Sequence, residues 1–214
     1  MGIAFACALS MTSCGAKSRQ ASGDSGSAAV AVSVTDTASA IVPVYAKGYT
    51  VKYLPGNVRL VDIRDPQKEE GNTFRYALVP KGAKPAGIPD GYTVIETPVK
   101  HAICMTSLQL SNFIRLDACD YVAGITSTRH LFNKEMKERL KSGKTSKIGI
   151  EGNFDNEVIM SINPDVIFIS PFKRGGYDAM RETGIPLVPP LGYKAMTPLG
   201  PAEWIKFIGM FIGR

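Results

Sequence analysis

The chain has 214 residues, 44% of them hydrophobic and 21% charged, with a formal net charge of +6. That length holds one or two domains, and the composition is that of a globular protein, not of a disordered or collagenous one. The positive charge is scattered except for a short cluster at Lys134–Lys147, which reads as a solvated helix face and gives no case for a nucleic-acid partner.

In chain order, Ile3–Met11 is an apolar run too short to span a bilayer. It leads into Met11-Thr-Ser-Cys14-Gly, and small residues before a cysteine after such a run resemble the lipobox of bacterial lipoproteins. The resemblance implies that 1–14 is a signal peptide and that the Cys14 thiol takes a diacylglyceryl anchor. The chain would then be tied by lipid to the periplasmic face of a bacterial membrane. No Lys or Arg precedes the run, which departs from the signal-peptide pattern; a chance apolar terminus with a buried cysteine is the alternative. Residues 15–40 are rich in Ser, Ala and Gly and suit a flexible tether. Cys7 falls in the leader, and Cys104 and Cys119 have no zinc spacing, so they read as buried thiols with a disulfide as the lesser alternative.

Residues 41–98 read as a β-rich module. Tyr49, Val51 and Tyr53 alternate, Pro55-Gly-Asn57 supplies a turn, and Val58 and Leu60 give way to Val61 and Ile63 as if the strand changes face. Phe74–Leu78 and Tyr92–Glu96 are further strands, and a small antiparallel sheet or a pair of hairpins is expected. From 99 to 200 strands alternate with helices. The strands are Val99–Met105, Tyr121–Thr126, Lys147–Ile150, Asp165–Ser170 and Pro186–Val188. The helices are Leu108–Leu116, Leu131–Lys141, Asn156–Ile162 and Gly176–Thr183. This order predicts an α/β lobe, Rossmann-like, with a parallel sheet and right-handed crossovers. Pro201 opens a last helix in 201–214 that carries Trp204, Ile205, Phe207, Ile208, Phe211 and Ile212, apolar on most sides. Few apolar residues elsewhere are left to cover it, so the chain is expected to be one lobe of a two-lobed protein.

Ligands of open parallel sheets bind beyond the carboxyl ends of the strands. The loops there offer Thr106 and Ser107, Arg129 and His130, Asn153 and Phe154, Phe172, Lys173 and Arg174, and Tyr193. Each has a plainer alternative: Thr106 and Ser107 as helix caps, Phe154 and Phe172 as core, Lys173 and Arg174 as surface charge. No nucleophile elbow, paired acid and base or phosphate-cradling glycine run occurs, which argues against an enzyme. A lone histidine makes a poor metal site, so no bound metal or other cofactor is expected.

Three segments then carry a family resemblance. Val99-Lys-His-Ala-Ile-Cys-Met-Thr-Ser107 looks like a first strand with its hydroxyl-bearing loop. Glu157-Val-Ile-Met-Ser-Ile-Asn-Pro-Asp-Val-Ile167 follows the pattern Glu-x-Ile-x-x-Leu-x-Pro-Asp-Leu-Ile, and Thr197-Pro-Leu-Gly-Pro-Ala-Glu-Trp-Ile205 looks like the entry to a long interlobe helix. Together they resemble the N-terminal lobe of periplasmic substrate-binding proteins of ABC importers for ferric siderophores, haem and cobalamin. The resemblance implies an iron chelate or corrinoid as ligand, an ABC permease as partner, and Glu157 as a carboxylate that docks on that permease, with helix-dipole compensation as its plainer role. It also implies a second lobe beyond 201–214, so a truncated or split binding protein is expected. The competing reading is a lipid-anchored interaction protein whose α/β lobe is a scaffold.

Overall fold

The computed structural model describes residues 40–214 apart from 69, 85, 127, 151 and 172–176. The leader, tether, Cys7 and Cys14 expectations lie outside the described residues. The described residues fall in one compact unit, built on two sheets with a helix between them.

The first sheet holds β1 (Ala40–Ile41), β2 (Tyr49–Leu54), β3 (Val58–Ile63), β4 (Phe74–Pro80) and β5 (Thr93–Thr97), in that spatial order. Pairing is antiparallel from β1 to β4, while β4 and β5 run parallel. The turn after β2 needs positive φ at Gly56 (76°) and Asn57 (59°), residue types that enter this region at low cost. The expected change of face in β3 does not occur. Its register against β2 is unbroken; Val61 and Ile63 point into the main core, while Val58 and Leu60 meet Ala77 and Val79 on the other side. The strand simply buries both faces.

The second sheet is wholly parallel. Its strands are β6 (Ala102–Cys104), β7 (Val122–Ile125), β8 (Ser146–Lys147), β11 (Val166–Phe168) and β12 (Leu187–Val188), in the order β12-β11-β6-β7-β8. The expected strand Lys147–Ile150 is broken: Gly149 turns at φ 91°, and β9 (Gly149–Ile150) pairs back on β10 (Asn153–Phe154). A Cβ at Gly149 would come within 2.5 Å of the Asn153 carbonyl oxygen, so only glycine fits. The helices are α1 (Ser107–Arg115), α2 (Lys134–Lys141), α3 (Asn156–Ile162), α4 (Tyr177–Arg181) and α5 (Leu199–Ile212). Alternation along β6 and β11 sends Ala102, Cys104, Val166 and Phe168 toward α1 and α5, and Ile103 and Ile167 toward α3 and α4. Helices therefore cover both faces, which is why these strands read as continuous apolar runs. Cys104 and Cys119 are buried free thiols, and burial pushes both thiols up from the ordinary cysteine value.

The expectation that the last helix lacks partners is overturned. Residues 41–98 supply them. Tyr49 of β2 stands 4.8 Å from Trp204 and 5.3 Å from Phe207, centroid to centroid, while Phe211 meets Phe168 of the parallel sheet at 5.3 Å. Trp204, Phe207, Ile208, Phe211 and Ile212 are all buried. At roughly 1.5–3 kcal/mol per buried large side chain, α5 is the main apolar joint between the two sheets. Gly48 lets it close, since a Cβ there would lie 2.8 Å from the Trp204 ring.

A polar joint sits beside the apolar one. The Glu203 carboxylate, only 8% exposed, accepts the backbone N–H groups of Tyr45 (2.6 Å), Ala46 (2.8 Å) and Val44 (3.3 Å) and the Lys206 ammonium (3.1 Å). Burial disfavours its charge, but these donors outweigh burial and hold its pKa down at about 2, against an ordinary 4.5. Tyr76 of β4 donates to the Leu187 carbonyl of β12 (2.5 Å), and Arg59 donates to the Met210 carbonyl (3.1 Å).

Because the folded pKa is depressed, Glu203 contributes its full stabilisation above about pH 4.5 and loses it as pH falls toward 2. Glu203→Gln leaves backbone donors short of an acceptor, so urea unfolding at neutral pH will show a loss of about 2 kcal/mol. The variant's stability will also decline less steeply between pH 4.5 and 2.

Candidate functional site

The strand order reverses between β6 and β11. α1, which follows β6, packs on one face of the sheet through Leu110 and Phe113; α4, which follows β11, packs on the other through Tyr177 and Met180. Chain leaving in opposite directions opens a crevice at the carboxyl ends of these two strands. A notch lies there. Thr106, Leu108, Gln109 and Asn112 form one wall, Ser170 lies at the end of β11, and Pro190, Gly192, Tyr193, Pro201 and Trp204 close the far side.

Thr106 is the N-cap of α1. Its hydroxyl accepts the Gln109 N–H (3.3 Å), and Gln109 Oε1 accepts the N–H groups of Thr106 (3.0 Å) and Met105 (2.9 Å), a reciprocal capping box. Gln109 Nε2 then donates to the Ile169 carbonyl across the crevice (2.9 Å). One side chain thus holds both strand ends in register. Tyr193, 44% exposed, lies on the short 3₁₀ turn Gly192–Lys194. That turn is anchored to the first sheet. Lys194 forms a partly buried ion pair with Asp65, just beyond β3, and Gln67 Nε2 donates to the Lys194 carbonyl at 3.3 Å. Burial tends to raise the Asp65 pKa, but the Lys194 ammonium and the Gln67 N–H outweigh it and hold the carboxyl below its usual range. Under the turn, Gly192 rests on Trp204, where a Cβ would lie 3.0 Å from the indole. The Trp204 N–H is a buried donor with no acceptor among the described residues.

The enclosed volume of the notch is about 30 Å³, far below the roughly 300–1,000 Å³ of a small-molecule pocket. It is a wall with hydroxyl, amide and aromatic groups. Among the described residues no group of three His, Cys, Asp or Glu could hold a metal ion.

Of the residues singled out in the sequence, Thr106 and Tyr193 meet in this notch. Ser107 is exposed in the first turn of α1, and Arg129 and His130 are exposed after β7; none of the three lines it. Asn153 is exposed on the β9–β10 hairpin. Phe154 stacks on Tyr177 at 5.6 Å and joins the core on the α3–α4 face, its plainer alternative. Phe172, Lys173 and Arg174 lie outside the described residues. Glu157 is exposed in the first turn of α3, beside the N-cap Asp155, whose carboxylate accepts the Val158 N–H (3.0 Å). In the motif that follows, Asn163 ends α3 at φ 49°. Asp165 accepts the N–H groups of Lys100 (2.5 Å) and His101 (2.9 Å), pinning the start of β6. Gln109, Asn112, Ser170 and Trp204 were missed. Ser170 was within reach of the strand-end rule, and Gln109 was within reach of the Thr-x-x-Gln capping pattern.

No family model matches the chain. It is 26% identical to an uncharacterised lipoprotein of Methanocaldococcus jannaschii over 79% of this chain and 46% of that one. A second uncharacterised lipoprotein of the same organism is 26% identical over 65% of this chain and 37% of its own length. The chain therefore spans less than half the length of these curated relatives. Among solved structures, it is similar to the molybdate periplasmic binding protein MolA of a Haemophilus influenzae ABC transporter, with 16% identity, a TM-score of 0.45, and coverage of 56% of this chain and 43% of that one.

The Asp65–Lys194 pair is accessible to experiment through Trp204, the chain's single tryptophan. Asp65→Asn removes the carboxylate that faces the Lys194 ammonium, a change that costs about 1–3 kcal/mol. Urea titration will show the loss. Trp204 emission will shift to the red and acrylamide will quench it more strongly, because the turn that covers the indole loses its anchor.

Proposed function

We propose that this chain belongs to a lipid-anchored substrate-binding protein of an ABC importer, and that its ligand is an iron chelate or corrinoid. The observation that carries the reading is the notch at the crossing point of the parallel sheet, where Thr106, Asn112, Ser170 and Tyr193 present polar groups around an apolar floor. Such a surface can hold one side of a bulky ligand by hydrogen bonds and ring contact. Among the described residues that line it, none forms a paired acid and base. The ordered sequence segments 99–107, 157–167 and 197–205 support the same reading, and so do the lipoprotein names of the curated relatives.

On this reading the notch is one jaw. Most of a chelate's surface would stay in water against the chain alone, so binding to the isolated chain is weak. Glu157, standing clear of the notch on α3, faces the permease.

Titration of the chain with haemin, cobalamin and ferric siderophores, followed by Trp204 quenching, tests the jaw. One of these ligands will bind more weakly than micromolar, and Tyr193→Ala will weaken it further by about tenfold, the scale of a lost aromatic contact. No binding by any of them, or binding indifferent to Tyr193, defeats the reading. Glu157→Arg will leave this affinity unchanged and will abolish uptake when placed in a complete homologue with its permease.

A further inference from the structure

The flank of the molecule beside β8 carries a pattern that the notch does not use. On α2, Lys134, Lys137 and Lys141 recur at helical spacing on the outward side, while Met136 is buried beneath. Lys144 and Lys147 continue the row through the turn and onto the edge strand β8. All five are exposed, and none forms a salt bridge among the described residues. Glu135 and Glu138 are their acidic neighbours, so positive charge dominates. Arg139 is not part of the row: its guanidinium turns inward to the Thr145 hydroxyl (3.3 Å) and the Asp120 carbonyl (3.1 Å).

At the head of this row stands Phe132. It is 79% exposed, more than any other large hydrophobic side chain among the described residues. The loop presents it firmly. Leu131 N–H donates to the Thr128 carbonyl (3.1 Å) before it, and Asn133 caps α2 after it by accepting the Met136 N–H (2.9 Å). The Lys137 ammonium lies 5.9 Å from the ring centroid.

An aromatic ring held out in water beside unpaired lysines has a physical fit. At a bilayer surface the ring sits at the acyl boundary while the ammonium groups meet lipid phosphates. We propose that this flank, from Phe132 through Lys147, is a contact surface for an anionic lipid bilayer. Each lysine near such a surface adds attraction to the lipid phosphates, and salt screens it. A nucleic acid would also meet the lysines, but one ring at the end of the row offers no ladder for stacking bases. The inference rests on the proposed lipid tether only in that the tether keeps the flank within reach of a membrane.

The test uses the full chain carrying Cys14→Ser, so that no lipid anchor forms. It is sedimented with vesicles of phosphatidylcholine alone or mixed with phosphatidylglycerol. Binding will require phosphatidylglycerol and fall as salt rises. Lys137→Glu/Lys141→Glu will weaken it by about tenfold or more, the scale set by reversing two such lysines. Phe132→Ser will weaken it at every salt concentration. A charge-matched control, Lys81→Glu/Lys84→Glu in the loop after β4, will stay close to the parent, and circular dichroism melts will confirm that each variant is folded. Equal loss in the control pair, equal binding to the neutral vesicles, or tighter binding to duplex DNA at the same salt overturns the proposal. Failure of the chelate titration leaves this result untouched, because no variant here alters the notch.

Discussion

The structure depends on α5 being shared. Its aromatic residues are buried against two sheets at once, Tyr49 on one side and Phe168 on the other. Glu203 fixes the helix's axial position by gripping three consecutive backbone N–H groups ahead of β2. The apolar contacts supply most of the stabilisation but tolerate sliding. The carboxylate tolerates little, because its acceptor geometry is matched to fixed donors. Together they turn a β segment and an α/β segment into one body around a shared core cluster.

That shared core also organises the notch. Trp204 has Gly48 from the first sheet on one side and Gly192 from the rim turn on the other. The Asp65–Lys194 pair ties the same turn to the end of β3. Residues before position 99 therefore set the position of Tyr193, although none of them lines the notch. A change on the first sheet is felt at the rim through two rigid contacts.

Local pattern carried much of this. The helix Asn156–Ile162 and the alternation of strands and helices in the α/β part follow from periodicity, caps and prolines, all of which act over a few residues. The β3 strand was misread because alternation assumes one wet face, and here both faces are covered. The break at Gly149 is a backbone event with little trace in hydrophobicity. The partners of α5 were out of reach for another reason: Glu203 and Tyr45 are 158 positions apart, and nothing near either residue announces the other. At the rim, the strand-end rule found Thr106 and Tyr193 because it is topological. It could not separate Phe154, which turns into the core, from residues that stay on the surface. Trp204 escaped notice because an apolar helix position does not reveal that one edge of its ring borders a crevice.

The distance between Glu203 and the backbone it grips has a bearing on biosynthesis. The first sheet leaves the ribosome with Tyr49, Val51, Val61 and Ile63 uncovered, and their cover is translated roughly 150 residues later. At ~5–20 residues per second, the nascent sheet spends many seconds as an open apolar surface. Chaperone dependence of this protein should therefore concentrate in its earliest-made part, well before the parallel sheet is complete.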